Sequence, residues 1–209
     1  MLRGMETNQP RTPQQERSIA TKQQLFQAAL ELFAEQGYHH TNTKKIAARA
    51  GIAVGSFYAY YRNKKEVFLE VIQFYYRRIQ QTAFAGDLDP RAAEQPREFL
   101  AALLRKLYDA HDITPQLHRE ITGMRYSDPE VDRLISAAEA DTVARVRQLL
   151  GLLGPAIALD DLEAAAHIVH RSAEEIIHSI KIFGTSIDPE RLIAELQRML
   201  ERYVFGEGS

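Results

Sequence analysis

Apolar residues recur at spacings of three and four along nearly the whole chain, and no stretch sustains the two-residue alternation of a half-buried strand. There is no Asn-Gly or Asp-Gly hairpin turn either. From Ser18, the series Leu25, Ala29, Leu32 runs beside Phe26, Leu30, Phe33, which predicts an amphipathic helix capped by Ser18 and ended by Gly37. Thr43 fits the cap of a short helix through Ala50, which Gly51 breaks. A second short helix runs from Val54 to Tyr60, and a longer one opens at Asn63 or Lys64 and reaches Phe84. The cluster Gly86-Asp87-Leu88-Asp89-Pro90 reads as a loop. Beyond it, helices are predicted at about 94–110, 114–123, 128–151, 160–183 and 189–204. Thr114-Pro115, Asp128-Pro129 and Asp188-Pro189 each set a capping residue before a first-turn proline. Gly123, Gly151 with Gly154-Pro155, and Gly184 stand at helix ends. The expected fold class is all-α.

Charge divides the chain. Its net −2 conceals ten Lys/Arg against four Asp/Glu from Arg17 to Gln80, and 14 against 22 from Gln81 to Ser209. A basic third joined to an acidic remainder points the basic part at a polyanion. Residues 1–16 are polar, contain two prolines and lack the apolar core of a signal peptide, so a flexible N-terminal arm is expected there. No apolar run approaches the roughly 20 residues of a membrane span. A cytoplasmic protein without membrane contact is expected. With no cysteine, no Gly-x-Ser-x-Gly elbow and no phosphate-binding glycine loop, neither nucleophilic catalysis nor a cofactor is called for, and an enzyme is not expected.

The most informative local stretch runs from about residue 41 to 60. Two short helices joined by a tight turn must approach closely, which Ala47 permits, and Gly51 supplies the positive φ of the turn. Ile46, Ile52 and Phe57 are the apolar contacts of the pair. In such a unit the second helix enters a DNA major groove while the first crosses the backbone. A plain helical hairpin buried in a core is the alternative. Against it stand Ser56, Tyr58 and Tyr60 on a helix of barely two turns, and the flanking bases Lys44, Lys45, Arg49, Arg62, Lys64 and Lys65.

The run Leu32-Phe33-Ala34-Glu35-Gln36-Gly37-Tyr38, then Thr41-Asn42-Thr43, Ile46-Ala47, Ala50 through Tyr61 and Asn63-Lys64-Lys65-Glu66 resembles the DNA-binding domain of the TetR/AcrR family. The resemblance covers about residues 17–79 and implies a three-helix helix-turn-helix domain there, with a larger helical ligand-binding and dimerisation domain over 80–209. It implies that Thr43 caps the second helix and touches a phosphate, with Lys44 the best further candidate on that helix. Gly55 lets the recognition helix approach closely, Ser56 contacts phosphate or a base edge, Tyr58 and Tyr60 donate hydroxyls to phosphates, and Lys64 binds the backbone. Phe57 and Tyr61 are expected in the core. Many relatives carry Ser and a basic residue where this chain has Ala53 and Val54, so these two would instead touch thymine methyls.

The resemblance further implies that the last two long helices pair with their copies as a four-helix homodimer interface. Ile193, Leu196, Leu200 and Tyr203 form a suitable stripe, with Ile176 and Ile180 on the preceding helix. An apolar or amphipathic small-molecule effector is expected among Leu104, Leu107, Tyr108, His111, Leu117, Ile121, Met124, His170, Glu174 and His178, with Leu103 and Phe183 beside them. The function that follows is a ligand-released repressor of a pseudo-palindromic operator; an activator, or a member answering a protein partner, would carry the same architecture. The rival reading is an all-α metal-binding bundle. It rests on His167, His170, Glu174 and His178, which helical spacing sets on one face, although a di-iron bundle needs more carboxylates than are visible.

Overall fold

A computed structural model of the protein describes residues 13–85, 94–112 and 114–206. Among these residues every regular element is helical. Most of the expected arm, residues 1–12, and the expected loop at Gly86–Pro90 lie outside the described residues. The chain divides after Val71 into two compact units.

The first unit is built on α1 (Pro13–His40), α2 (Thr43–Arg49), α3 (Val54–Phe57) and the start of α4 (Lys64–Ala83). Helix α1 begins before Ser18: Pro13 opens it and Glu16 lies in its first turn, both favourable where amide N–H groups are unpaired. Its helical geometry is interrupted at Gly37 (φ 81°, ψ 168°), beyond which the chain turns on to His40. The cap of α2 is Asn42, not Thr43. Asn42 has extended backbone and its Oδ1 accepts the Lys45 N–H at 2.9 Å, while Thr43 is already the first helical residue. The tight turn closes through Gly51 (φ 69°), where Ile52 N–H donates to the Ala47 carbonyl at 2.9 Å. Helix α3 is shorter than expected, ending at Phe57, with Tyr58 as its C-cap.

Leu25, Ala29 and Phe33 of α1, Ile46 and Ala47 of α2, Phe57 of α3, and Val67 and Phe68 of α4 are fully buried. Phe33 and Phe68 meet edge to face at 5.0 Å. Burying each such large side chain contributes about 1.5–3 kcal/mol. This core holds α2 and α3 in place, and only then can their polar faces act together.

The second unit comprises α5 (Pro96–Ala110), α6 (Pro115–Arg125), α7 (Pro129–Leu152), α8 (Leu162–His178) and α9 (Pro189–Phe205), with the C-terminal part of α4. Asp128, Asp161 and Asp188 cap α7, α8 and α9 through backbone N–H groups of their first turns. Gly123 and Gly151 lie inside α6 and α7 and do not end them; the positive φ belongs to Gly154 and Gly184. Helix α8 packs against both α7 and α9 around Val146, Leu150, Val169, Ala173, Ile177, Leu196 and Leu200. Directly after His178 the helix widens into a π-helical turn, Ser179–Phe183. Such turns concentrate at functional sites because they re-aim side chains. Two ties hold this one: Arg119 Nη1 donates to the Ile182 carbonyl at 2.6 Å, and Lys181 Nζ pairs with Asp112 at 2.6 Å.

Candidate DNA-binding face and effector cavities

Ile46, Ala47 and Phe57 are turned inward, and Ile52, the third expected apolar contact, is partly buried. Lys44, Ala53, Gly55, Ser56 and Tyr58 are exposed, and Thr43, Val54 and Tyr60 are partly buried. Thr43 Oγ1 and the Tyr58 hydroxyl share a hydrogen bond of 3.1 Å, joining the first residue of α2 to the end of α3. A Cβ placed on Gly55 would meet nothing within 4 Å, so nothing within the protein requires glycine there. Phe57 and Tyr61 are core residues, 0% and 2% exposed.

Several basic residues of the sequence are engaged within the unit. Lys64 Nζ donates to the Tyr38 carbonyl at 2.7 Å and the Thr41 carbonyl at 2.8 Å, and lies 4.1 Å from the Tyr38 ring centroid. Lys64, expected to bind the DNA backbone, thus also ties the end of α1 to the start of α4. Arg49 is held by Glu35 at 2.7 and 2.9 Å and by Glu31 at 3.3 Å, and its hydrogen bonds draw the Glu35 carboxyl below its ordinary range. Lys45 donates to the Gln36 amide oxygen and the His40 carbonyl.

In the second unit, two cavities lie close to α8. One, about 30 Å³, is lined almost wholly by apolar groups, among them Leu100, Leu103, Leu104, Leu107, Val169 and Leu200, with His170 as a polar member. The other, about 200 Å³, is polar and is lined by Tyr76, His118, Arg125, Glu139, Arg171, Glu174 and His178, with Phe183 at its side. Of the residues expected to bind effector, Leu104, Leu107 and His170 line the first, and Glu174 and His178 the second. Leu117, Ile121 and Met124 are buried and line neither space, whereas their α6 neighbours His118, Thr122 and Arg125 line the second. Tyr108 lies under Lys181, whose Nζ is 3.9 Å from its ring centroid.

Tyr76, Arg125, Glu139 and Arg171 were not expected in this site. Glu139 of α7 accepts forked hydrogen bonds from Arg125 of α6 (2.6 and 3.0 Å) and Arg171 of α8 (3.1 and 2.8 Å). Burial opposes ionisation of Glu139, but the two guanidinium groups outweigh it and its carboxyl titrates below the ordinary range. Glu174 behaves oppositely: burial, followed by the negative charge of Glu139, pushes it up to about 7. Burial likewise lowers His118 and His170 to about 4 and His178 to about 3, so these rings are neutral at pH 7.

The four-residue face proposed for metal does not assemble as such. His167 is exposed, whereas His170 is buried and Glu174 and His178 turn inward. The dimer stripe also divides. Ile193, Leu196 and Leu200 are buried in the protomer's own core, and Ile176 and Ile180 pack partly against it. The apolar residues left outward on α8 and α9 are Ile168, Met199 and Tyr203. The 3-4-3 spacing records the amphipathic face of α9 without specifying which partner covers it.

Known proteins bear on both units. The pattern of "Bacterial regulatory proteins, tetR family" matches residues 25–71, and that of "Tetracyclin repressor-like, C-terminal domain" matches residues 95–203. A fatty acid metabolism regulator protein of Bacillus subtilis is 32% identical over 40% of this chain and 41% of its own length. An HTH-type transcriptional repressor of Streptomyces coelicolor is 32% identical over 68% of this chain and 72% of its own. A TetR-family regulator structure from Mesorhizobium loti superposes with a TM-score of 0.72 at 18% identity, covering 90% of this chain and 96% of that one. Two successive matches, of which the second alone spans more than half the sequence, place the chain in the TetR family of bacterial regulatory proteins.

Proposed function

We propose that the protein is a ligand-responsive transcriptional repressor that binds a pseudo-palindromic DNA operator as a homodimer through α2 and α3. The supporting observation is the outward row Lys44, Ala53, Gly55, Ser56 and Tyr58 on a helix-turn-helix whose inner residues Ile46, Ala47 and Phe57 are fully buried. A glycine free of internal packing, beside small side chains and a hydroxyl, suits a surface that backbone phosphates approach closely. The regulatory unit then spans about residues 80–209 and the DNA-binding unit about 17–79. Ile168, Met199 and Tyr203 on α8 and α9 supply the outward apolar face for a second copy, and two-fold symmetry would present two recognition helices to two half-sites.

An apolar or amphipathic effector would enter beside α8, where the apolar cavity must widen to admit it. Its apolar part would lie against Leu104, Leu107 and Val169, with His170 at the polar end. Release from DNA follows by linkage: a ligand that favours a conformation with the wrong spacing of recognition helices weakens operator affinity by the same coupling free energy.

The test is titration of the full chain against DNA upstream of its own and neighbouring genes at several salt concentrations. Saturable binding to one palindromic segment is expected. Lys44→Ala should lower affinity and flatten the dependence on salt by about one phosphate contact. Tyr58→Phe, which removes a hydroxyl without changing the core, should weaken binding by about 1 kcal/mol. Operator affinity unchanged in both variants would remove α2 and α3 from the DNA interface.

A further inference from the structure

Three ligand-type side chains converge where the end of α5 meets α8. His111 is the C-cap of α5, and Glu174 and His178 stand one turn apart on α8. One ligand atom from each lies within 4.8 Å of the other two. His118 of α6 adjoins them, its ring centroid 4.3 Å from that of His178. We propose that the imidazoles of His111 and His178 and the carboxylate of Glu174 bind a divalent transition-metal cation in the regulatory unit. This proposal stands independently of the DNA-binding reading.

The nitrogens are prepared for the task. His111 Nδ1 is 2.8 Å from the Leu107 carbonyl, which can only accept, so Nδ1 carries the proton and Nε2 keeps its lone pair. A carbonyl holding the far nitrogen is how metal-ligating imidazoles are commonly oriented. His178 Nε2 is buried and makes no hydrogen bond among the described residues. Leaving such an atom unsatisfied costs about 1–3 kcal/mol, and a cation ligated there would remove the deficit.

Glu174 completes the set. Its carboxylate oxygen lies with the two imidazole nitrogens, so that a cation held between them would have one anionic and two neutral donors. Ligand distances of about 2.0–2.2 Å require donor atoms roughly 3.3 Å apart around a tetrahedral ion, which side-chain rotation can reach from the present spacing. Two nitrogens and one carboxylate favour zinc, cobalt or nickel over magnesium or calcium. The 200 Å³ polar cavity reaches Glu174, His178 and His118, giving an ion access and leaving a coordination position for water or for His118.

The experiment is calorimetric titration of chelator-treated full-length protein with Zn²⁺ at pH 7.5, with Co²⁺ absorption as a second readout. One equivalent should bind, with visible Co²⁺ bands of a nitrogen- and oxygen-ligated ion. His111→Ala, Glu174→Gln and His178→Ala should each weaken binding at least about 10-fold. Glu174→Gln, nearly isosteric, tests the site without opening a cavity in the fold. His167→Ala, exposed on the same helix, should leave binding unchanged. Absence of saturable binding in the wild type, retention of full affinity in any of the three ligand variants, or loss only with His167→Ala would overturn the proposal.

Discussion

Lys64 and Gly55 illustrate how a single position acquires its meaning from its neighbours. The ammonium of Lys64 is hydrogen-bonded to two main-chain carbonyls 23 and 26 residues away. Hydrogen bonds to charged groups contribute about 1.5–3 kcal/mol, less where water also has access. Lys64→Ala should therefore lower unfolding stability by about 1–2 kcal/mol in urea denaturation, and unchanged stability would return this lysine to the surface. Gly55 gives the opposite pattern. With open space about its Cα, Gly55→Ala should stabilise the free protein by about 0.5–1 kcal/mol while weakening its DNA binding, both measurable on one preparation. Neither assignment was fully available from the sequence. The three-dimensional partners of Lys64 leave no local mark, and the choice between Asn42 and Thr43 as cap depended on backbone angles that adjacent capping residues do not reveal.

Helices were the most legible level because their boundaries are written locally. Proline at the first position and aspartate before it marked α7 and α9, and the series Leu25, Ala29, Leu32 is buried as spaced, while of the series beside it only Phe33 is buried and Phe26 and Leu30 are partly exposed. The π turn was not legible. Ser179–Phe183 continues the apolar spacing of α8, and what distinguishes it is its tie to Arg119 on α6. The clip at Glu139 belongs to the same class, since it joins three helices distant in sequence. Replacing Glu139 by Gln would leave Arg125 and Arg171 facing a neutral amide. A loss of about 2 kcal/mol is expected, with faster amide hydrogen exchange at the adjoining ends of α6 and α8; equal stability would mean the clip contributes nothing net.

For the molecule as a whole, the contrast of charge between the two parts of the sequence agrees with a division into an operator-facing and a regulatory part. The proposed association through α8 and α9 has a test that spares the protomer. Met199 and Tyr203 are exposed, so Met199→Glu with Tyr203→Glu should yield folded monomers in sedimentation and weaken operator binding. A variant that remains dimeric would assign association to another face. A space of about 30 Å³ beside Leu104 and Val169 is hardly more than one water molecule occupies. A guest of even a few carbon atoms cannot enter until the surrounding helices part. Admission and rearrangement would then be a single event, and the bulk of the guest would set how far the bundle is wedged open.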